Sequence, residues 1–439
     1  MKKLLPLFIS AAIGSLSSSA FADTLAEVYD QAKQNDPQLL RSAAQRDAAF
    51  EAVTSSRSSL LPQINLTANY DINRGDRSDM SNDNNQWGVG IGFSQELYQR
   101  SSWITLDTAE KTARQSDSAY AAEQQALILR TATAYFDVLR AQDNLEFVRA
   151  EKAAVARQLE QTKQRFEVGL SAITDVHDAQ AQYDGVLADE VLAENTLTNS
   201  YEGLREITGQ EHSQLSILDT DRFSASKSSE SAAALVEQAE QKNLSLLAAR
   251  ISQDVAKDNI SLASSGHLPS LTLDGSYGLS EQTDSSNSQN DYDADNLNIG
   301  LNLVVPLYTG GNTTSLTKQA EYNYVAASED LEATYRSVVK DVRAFNNNIS
   351  ASIGALRAYE QSVVSAQSAL EATEAGFDVG TRTIVDVLDS TRRLYDANKN
   401  LSDARYNYIL SVLQLRQAVG TLSEQDIVDV NAGLKVASK

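Results

Sequence analysis

The chain has 439 residues, 42% hydrophobic and 22% charged, with a formal net charge of −22 and no cysteine. Without cysteine there is no disulfide framework, and no lipid-modified N-terminal cysteine to anchor the chain. A surface this acidic repels nucleic acid and anionic lipid, so nucleic-acid binding is excluded.

Lys2 and Lys3, an apolar stretch over 4–13 and the sequence Ala20-Phe21-Ala22 read as a secretory signal covering residues 1–22. The mature chain is then expected to start at Asp23. No later run reaches the ~18 apolar residues that a membrane helix needs. The exported chain therefore either stays in solution or crosses a membrane as a barrel.

A helical pattern covers 26–56, with Pro37 marking a break or a first turn. Two strands follow at 62–71 and 87–97. In the first, Ile64, Leu66, Ala68 and Tyr70 alternate with polar residues. In the second, Val89, Ile91 and Phe93 alternate with glycine and serine. One apolar and one wet face result, over a length that suits a tilted membrane strand. Residues 72–86 between them are polar and read as a long loop.

Residues 101–167 contain neither proline nor glycine and predict one very long helix, roughly 100 Å at 1.5 Å per residue. Val148 and Val155, like Leu159 and Phe166, stand one heptad apart, which suggests coiled-coil packing. A turn at Val168-Gly169-Leu170 leads to a helix over 174–207. The short helices 26–56 and 174–207 are expected to stack along the long one from its two ends.

The whole order then recurs. Phe166-Glu167-Val168-Gly169, Asp175 and Asp178 return as Phe377-Asp378-Val379-Gly380, Asp386 and Asp389. Leu61-Pro62 returns as Leu268-Pro269, and Ala32 and Leu39 as Ala239 and Leu246. The second half has strands at 268–278 and 297–307, a polar loop at 279–296, a long helix at 312–377 and a last helix at 384–418. The chain therefore divides into repeats at 23–230 and 231–439. A period this long is a duplication and not a solenoid unit.

Four strands cannot close a barrel, and lipid does not tolerate an open sheet edge. If these strands cross a membrane, several chains must share one barrel, and their helices form a hollow cylinder. A soluble protein whose four-stranded sheet packs on its helices satisfies the same pattern. The main alternative is a soluble periplasmic coiled-coil scaffold or adaptor, which would not need strands with one lipid-compatible face. A plain porin does not need so much helix. Trp87, Tyr98, Tyr70, Tyr277 and Tyr308, read as lying near strand ends, are candidates for aromatic girdles.

Asp386 and Asp389 lie three apart at the start of the last helix and share one side. In a ring of chains they would form a carboxylate constriction that selects and binds cations. The plainer reading is that acidic residues suit the positive end of any helix. Asp175 and Asp178 form the matching pair of the first half, and Asp178 is a candidate for extra negative charge. His177, His212 and His267 lack metal-ligand spacing, and no phosphate loop or nucleophile motif occurs. No enzyme activity, cofactor or intrinsic metal is expected.

These residues resemble the TolC family of outer-membrane efflux proteins. The resemblance rests on Ser58-Ser59-Leu60-Leu61-Pro62-Gln63, Thr131-Ala132-Thr133-Ala134-Tyr135-Phe136, Ile173-Thr174-Asp175-Val176, Asn243-Leu244-Ser245-Leu246-Leu247, Gly380-Thr381-Arg382-Thr383-Ile384-Val385-Asp386-Val387-Leu388-Asp389 and Ala404-Arg405-Tyr406-Asn407-Tyr408. It spans about residues 23–430.

The resemblance implies a mixed, mainly α fold. A homotrimer would share a 12-stranded membrane β-barrel, four strands per chain, continuing into a long periplasmic α-helical coiled-coil barrel. A small equatorial α/β region would come from about 209–233 and from 420 onwards. The implied function is a passive exit duct in the outer membrane for multidrug efflux and type I protein secretion. It would dock a periplasmic adaptor protein and inner-membrane RND, ABC or MFS transporters. Asp386 and Asp389 would form the periplasmic constriction. Arg382 would lock the entrance against Thr174 and Asp175, and Gln158 and Glu374 would form a second link. The tips Val168, Gly169, Leu170, Val379, Gly380 and Thr381 would meet the adaptor. The family has tyrosine where this chain has Phe377, so one hydrogen bond to Asp175 is lost. The lock is then expected to rest more on Arg382.

Overall fold

The structure, a computed structural model, describes residues 22–77, 80–81, 83–227, 230–284 and 291–435. The signal reading, apart from Ala22, lies outside them, as do Ser285, Ser286, Asn287 and Ser288 of the second loop.

The first half begins with α1 (Leu25–Asn35) and α2 (Pro37–Ser58), followed by β1 (Gln63–Asn73), a short hairpin of β2 (Asp76–Arg77) and β3 (Met80–Ser81), and β4 (Asn84–Tyr98). Then come α3 (Arg100–Glu167), α4 (Ile173–Thr208) and β5 (Ile217–Leu218). The second half supplies α5 (Ala232–Lys242), α6 (Leu244–Ser264), β6 (Ser270–Asp284), β7 (Tyr292–Val304), α7 (Asn312–Asp378) and α8 (Ile384–Val419). It closes with α9 (Glu424–Asn431) and β8 (Leu434–Lys435), which pairs antiparallel with β5.

Three sequence expectations change. The helix expected over 26–56 is two helices, because Asp36 ends α1 and caps α2, with Pro37 in the first turn of α2. Both polar loops are shorter than expected, because the strands run on into them: β4 starts at Asn84 and β6 continues to Asp284. The last strand stops at Val304, leaving Leu307 and Tyr308 outside it and exposed.

The long strands form one antiparallel sheet in the order β1-β4-β6-β7. Its register aligns Leu66, Ile91, Tyr277 and Leu297 in one row. Ile64, Phe93, Gly275 and Ile299 form the next row on the same face. The alternate rows, such as Asn65, Gly92, Ser276 and Asn298, are polar or glycine. The apolar face is bare: Leu66 is 74% exposed, Leu297 72% and Ile299 70%. Among the described residues no helix packs over it, which does not fit a sheet packed on its own helices. Tyr277 sits in mid-strand, paired with Ile91 and Leu297, and so leaves the girdle group.

α3, of 68 residues, and α7, of 67, each span about 100 Å. α2 packs along the sheet-side part of α3 and α4 along the remainder, and α6 and α8 do the same for α7. Buried positions repeat every seven residues and match between the halves: Thr131, Val138 and Leu145 on α3, and Val342, Ile349 and Leu356 on α7. This is the seam of a coiled coil. The largest apolar core lies at mid-height, where Leu25, Val28 and Leu39 meet Leu127, Tyr135, Phe136 and Leu139 of α3. Leu204, Leu215, Leu413 and Ile427 complete it. No described helix is long and apolar enough to cross a membrane.

Candidate functional site: the helix tips

At the end away from the sheet, α3 turns into α4 and α7 turns into α8. Both long helices end on a glycine with positive φ, Gly169 at 76° and Gly380 at 79°. The amide of Leu170 donates to the Arg165 carbonyl at 2.8 Å, and that of Thr381 to Gly376 at 2.8 Å. These bonds satisfy carbonyls that a helix end leaves open, in a conformation that glycine adopts without strain. Val168, Leu170 and Val379 stand out at 70%, 77% and 76% exposure.

The next helices start on caps. Thr383 caps α8: Asp386 Oδ2 accepts from the Thr383 amide and hydroxyl, both at 2.9 Å, and the Asp386 amide donates to Thr383 Oγ1 at 3.3 Å. This reciprocal box anchors the Asp386 side chain. Hydrogen bonds from the Thr383 backbone and hydroxyl, with a smaller contribution from Arg382, hold the Asp386 carboxyl below its ordinary value of 3.8. Asp175 plays the matching part in α4, accepting from the Ala172 amide at 3.1 Å and from Ser171 Oγ at 2.7 Å.

Asp389 differs from its equivalent, Asp178. Arg392 Nη2 lies 3.0 Å from one of its carboxylate oxygens and Arg393 Nη2 2.6 Å from the other. Asp178 is exposed and has no ion-pair partner among the described residues.

The two tips are joined by a small core of Val155, Leu159, Ala179, Val186, Ile384, Val387 and Leu388. Phe377 packs against it. The Arg165 guanidinium lies 4.4 Å from the centre of the Phe377 ring, and its Nη2 is 3.2 Å from Asp378 Oδ1. The sequence reading missed Arg165. A basic residue in the last turn of α3, directly before Phe166, was the available signal.

The expected locks do not form within one chain. Arg382 is exposed, and its amide donates to the Gly376 carbonyl at 3.2 Å, but among the described residues its guanidinium makes no ion pair or hydrogen bond; its Cγ occupies the space beside Gly376, where a Cβ would come within 2.7 Å. Thr174 is exposed, and Asp175 Oδ2 serves the α4 cap. Gln158 donates to Thr391 Oγ1 at 3.1 Å instead of reaching Glu374, which is exposed. The carbonyl oxygen of the Gln158 side chain is buried without a hydrogen-bond partner. Among the described residues, no group of histidines and carboxylates is spaced to hold a metal ion.

This architecture has known relatives. Residues 28–210 and 235–421 match the outer membrane efflux protein family. The chain belongs to the outer membrane efflux protein family. Its place is the outer membrane. Outer membrane protein TolC of Vibrio cholerae is 77% identical, with 100% of each chain covered. Alkaline protease secretion protein AprF of Pseudomonas aeruginosa is 29% identical over 97% of this chain and 90% of its own. The Campylobacter jejuni CmeC outer membrane channel shares the fold, with a TM-score of 0.78 at 16% identity, covering 99% of this chain and 98% of that one. The bare sheet lies at one end of the molecule and the helix tips at the other.

Proposed function

We propose that three copies of this chain close a 12-stranded barrel and that their helices continue it as a hollow duct. The observation that carries this is the four-stranded sheet, with one continuous apolar face uncovered and β1 and β7 unpaired at its edges. An edge in lipid has to be paired, and copies of the same chain supply matching edges. The repeats 23–230 and 231–439 would each contribute one strand pair and one helical layer.

The duct would act as a passive exit for drugs and secreted proteins, a conduit without catalysis. The secretion arm follows from likeness to a protease secretion protein. The tips would be the periplasmic entrance, opened when an adaptor protein and an inner-membrane transporter of the RND, ABC or MFS type dock. Exposed Val168, Leu170 and Val379, with Gly169, Gly380 and Thr381, are the adaptor contact we favour. Asp386 and Asp389 from each chain would line the constriction, where cations could bind. Arg382 would reach Thr174 or Asp175 across a chain boundary, its guanidinium having no hydrogen bond or ion pair among the described residues. Glu374 would likewise accept from the Gln158 side-chain amide of a neighbouring chain, in exchange for the bond that amide makes to Thr391.

Single-channel recording in a planar bilayer, with an Asp386→Asn/Asp389→Asn variant beside the unaltered protein, tests this. Small cation-preferring steps that lose their preference in the variant are expected. Absence of steps from folded protein would return the soluble scaffold reading.

A further inference from the structure

The two halves of the chain treat their entrance carboxylates differently. At the positions equivalent to Arg392 and Arg393, the first half has Ala181 and Gln182. Lysine and arginine are absent from α4 before Arg205, whereas α8 places two arginines against Asp389 within three turns of its start. Arg393 also lies seven residues after Asp386, on the same helical stripe. Both arginine side chains are more than half exposed, so the pairs contribute little to stability. One arginine would already satisfy the carboxylate, and a chain of charge −22 has few to spare.

We propose that Arg392 and Arg393 set the charge selectivity of the entrance by neutralising Asp389, leaving Asp386 as the dominant carboxylate of the constriction. This rests on the reading of Asp386 and Asp389 as entrance residues. Each chain then presents two carboxylates and two guanidinium groups within three turns of one helix. A permeating cation meets Asp386, on which Arg382 acts only weakly, while Asp389 and its two guanidinium groups together carry one net positive charge at distances longer than the ion pair and so subtract from the cation preference. Charge rings select ions through this summed field, and salt screens it over about 10 Å at 0.1 M.

The test measures reversal potentials of reconstituted protein in a KCl gradient, giving the ratio of potassium to chloride permeability. R392A/R393Q, which copies the first half, should raise that ratio about two- to tenfold at 0.1 M salt. R392K/R393K should keep it near the unaltered value. In the unaltered background Asp386→Asn should lower the ratio more than Asp389→Asn does. In the R392A/R393Q background the two should act alike.

If Asp386→Asn/Asp389→Asn lowers the ratio while R392A/R393Q leaves it unchanged, the arginine proposal fails and the constriction stands. If none of these variants moves the ratio, the constriction reading fails as well. If R392K/R393K shifts it as far as R392A/R393Q, the effect is one of shape and the charge argument is wrong. Trimer content, checked by gel migration without heating, separates these results from loss of assembly.

Discussion

At the level of single residues, the tip depends on side chains that no short motif marks. Phe377 lacks a hydroxyl, and the structure gives its ring a cation instead of a hydrogen bond. A half-exposed cation–π contact with an adjoining ion pair contributes about 1 kcal/mol. Arg165→Gln should therefore speed amide exchange around Gly169 and Gly380 about fivefold, measured by hydrogen exchange with mass spectrometry. An unchanged rate would show that the apolar core of the tip holds the two turns without it.

Asp386 makes a prediction in pH. Its carboxyl is held below 3.8 by the cap at Thr383. A depressed carboxyl contributes stability above its unfolded value, and that contribution is lost as pH falls through the lower folded value. Cation preference should accordingly survive below pH 3.8 and collapse only in stronger acid. Thr383→Ala removes the hydroxyl bond and should move the collapse upward, as read from reversal potentials across pH. A collapse at the same pH in both proteins would remove the cap from the explanation.

Elements are held by their ends. Asp36 is 2% exposed, caps α2 through the Leu39 amide at 2.8 Å and takes Arg130 Nη2 at 2.9 Å. The second half performs the same capping with Asn243, which accepts from the Leu246 amide at 2.9 Å. Asp36→Asn should keep the cap and cost about 1 kcal/mol, whereas Asp36→Ala loses cap and pair together for about 2–4 kcal/mol. Denaturant unfolding distinguishes the two, and equal losses would assign the role to charge alone.

The glycines at helix ends divide in a similar way. Gly420 has φ 82°, and a Cβ there would run into the backbone of Lys242 and Asn243. Gly169 has positive φ but open space around it. Gly420→Ala should cost on the order of 3 kcal/mol or more, and Gly169→Ala about 1–2 kcal/mol. Thermal unfolding that ranks them the other way would show that α5 and α6 can give way.

For the whole molecule, the sheet decides the environment. Ile299 lies on the bare apolar face and Asn298 on the polar one. Ile299→Lys should cost about 2–4 kcal/mol if that face meets lipid, while Asn298→Lys should be tolerated in a watery lumen. Folding yield into lipid vesicles gives the comparison. Equal yields would mean that the face is covered by protein.

The repeat, the strand alternation and the proline-free stretches were legible in the sequence, because each is a periodicity of the backbone itself. The period of two marked the sheet faces, and the heptad marked Val148, Val155 and Leu159 on the packed side of α3, although Phe166, one heptad after Leu159, is 41% exposed. The pairing of Asp386 with Asp389 on one side of α8 was legible for the same reason. What the sequence could not settle is whether the apolar face of the sheet is covered. Only the fold shows that no helix returns over it, because covering depends on where distant segments are brought. The same limit applies at the tips. Arg165 and Phe377 meet because α3 and α7 end side by side, although the residues are far apart in the chain. Arg382 misses Asp175 within its chain because the αL turn at Gly380 folds its stem back over Gly376. Local pattern thus determined the elements and their polarity, while packing between distant segments decided which charges and surfaces remain free.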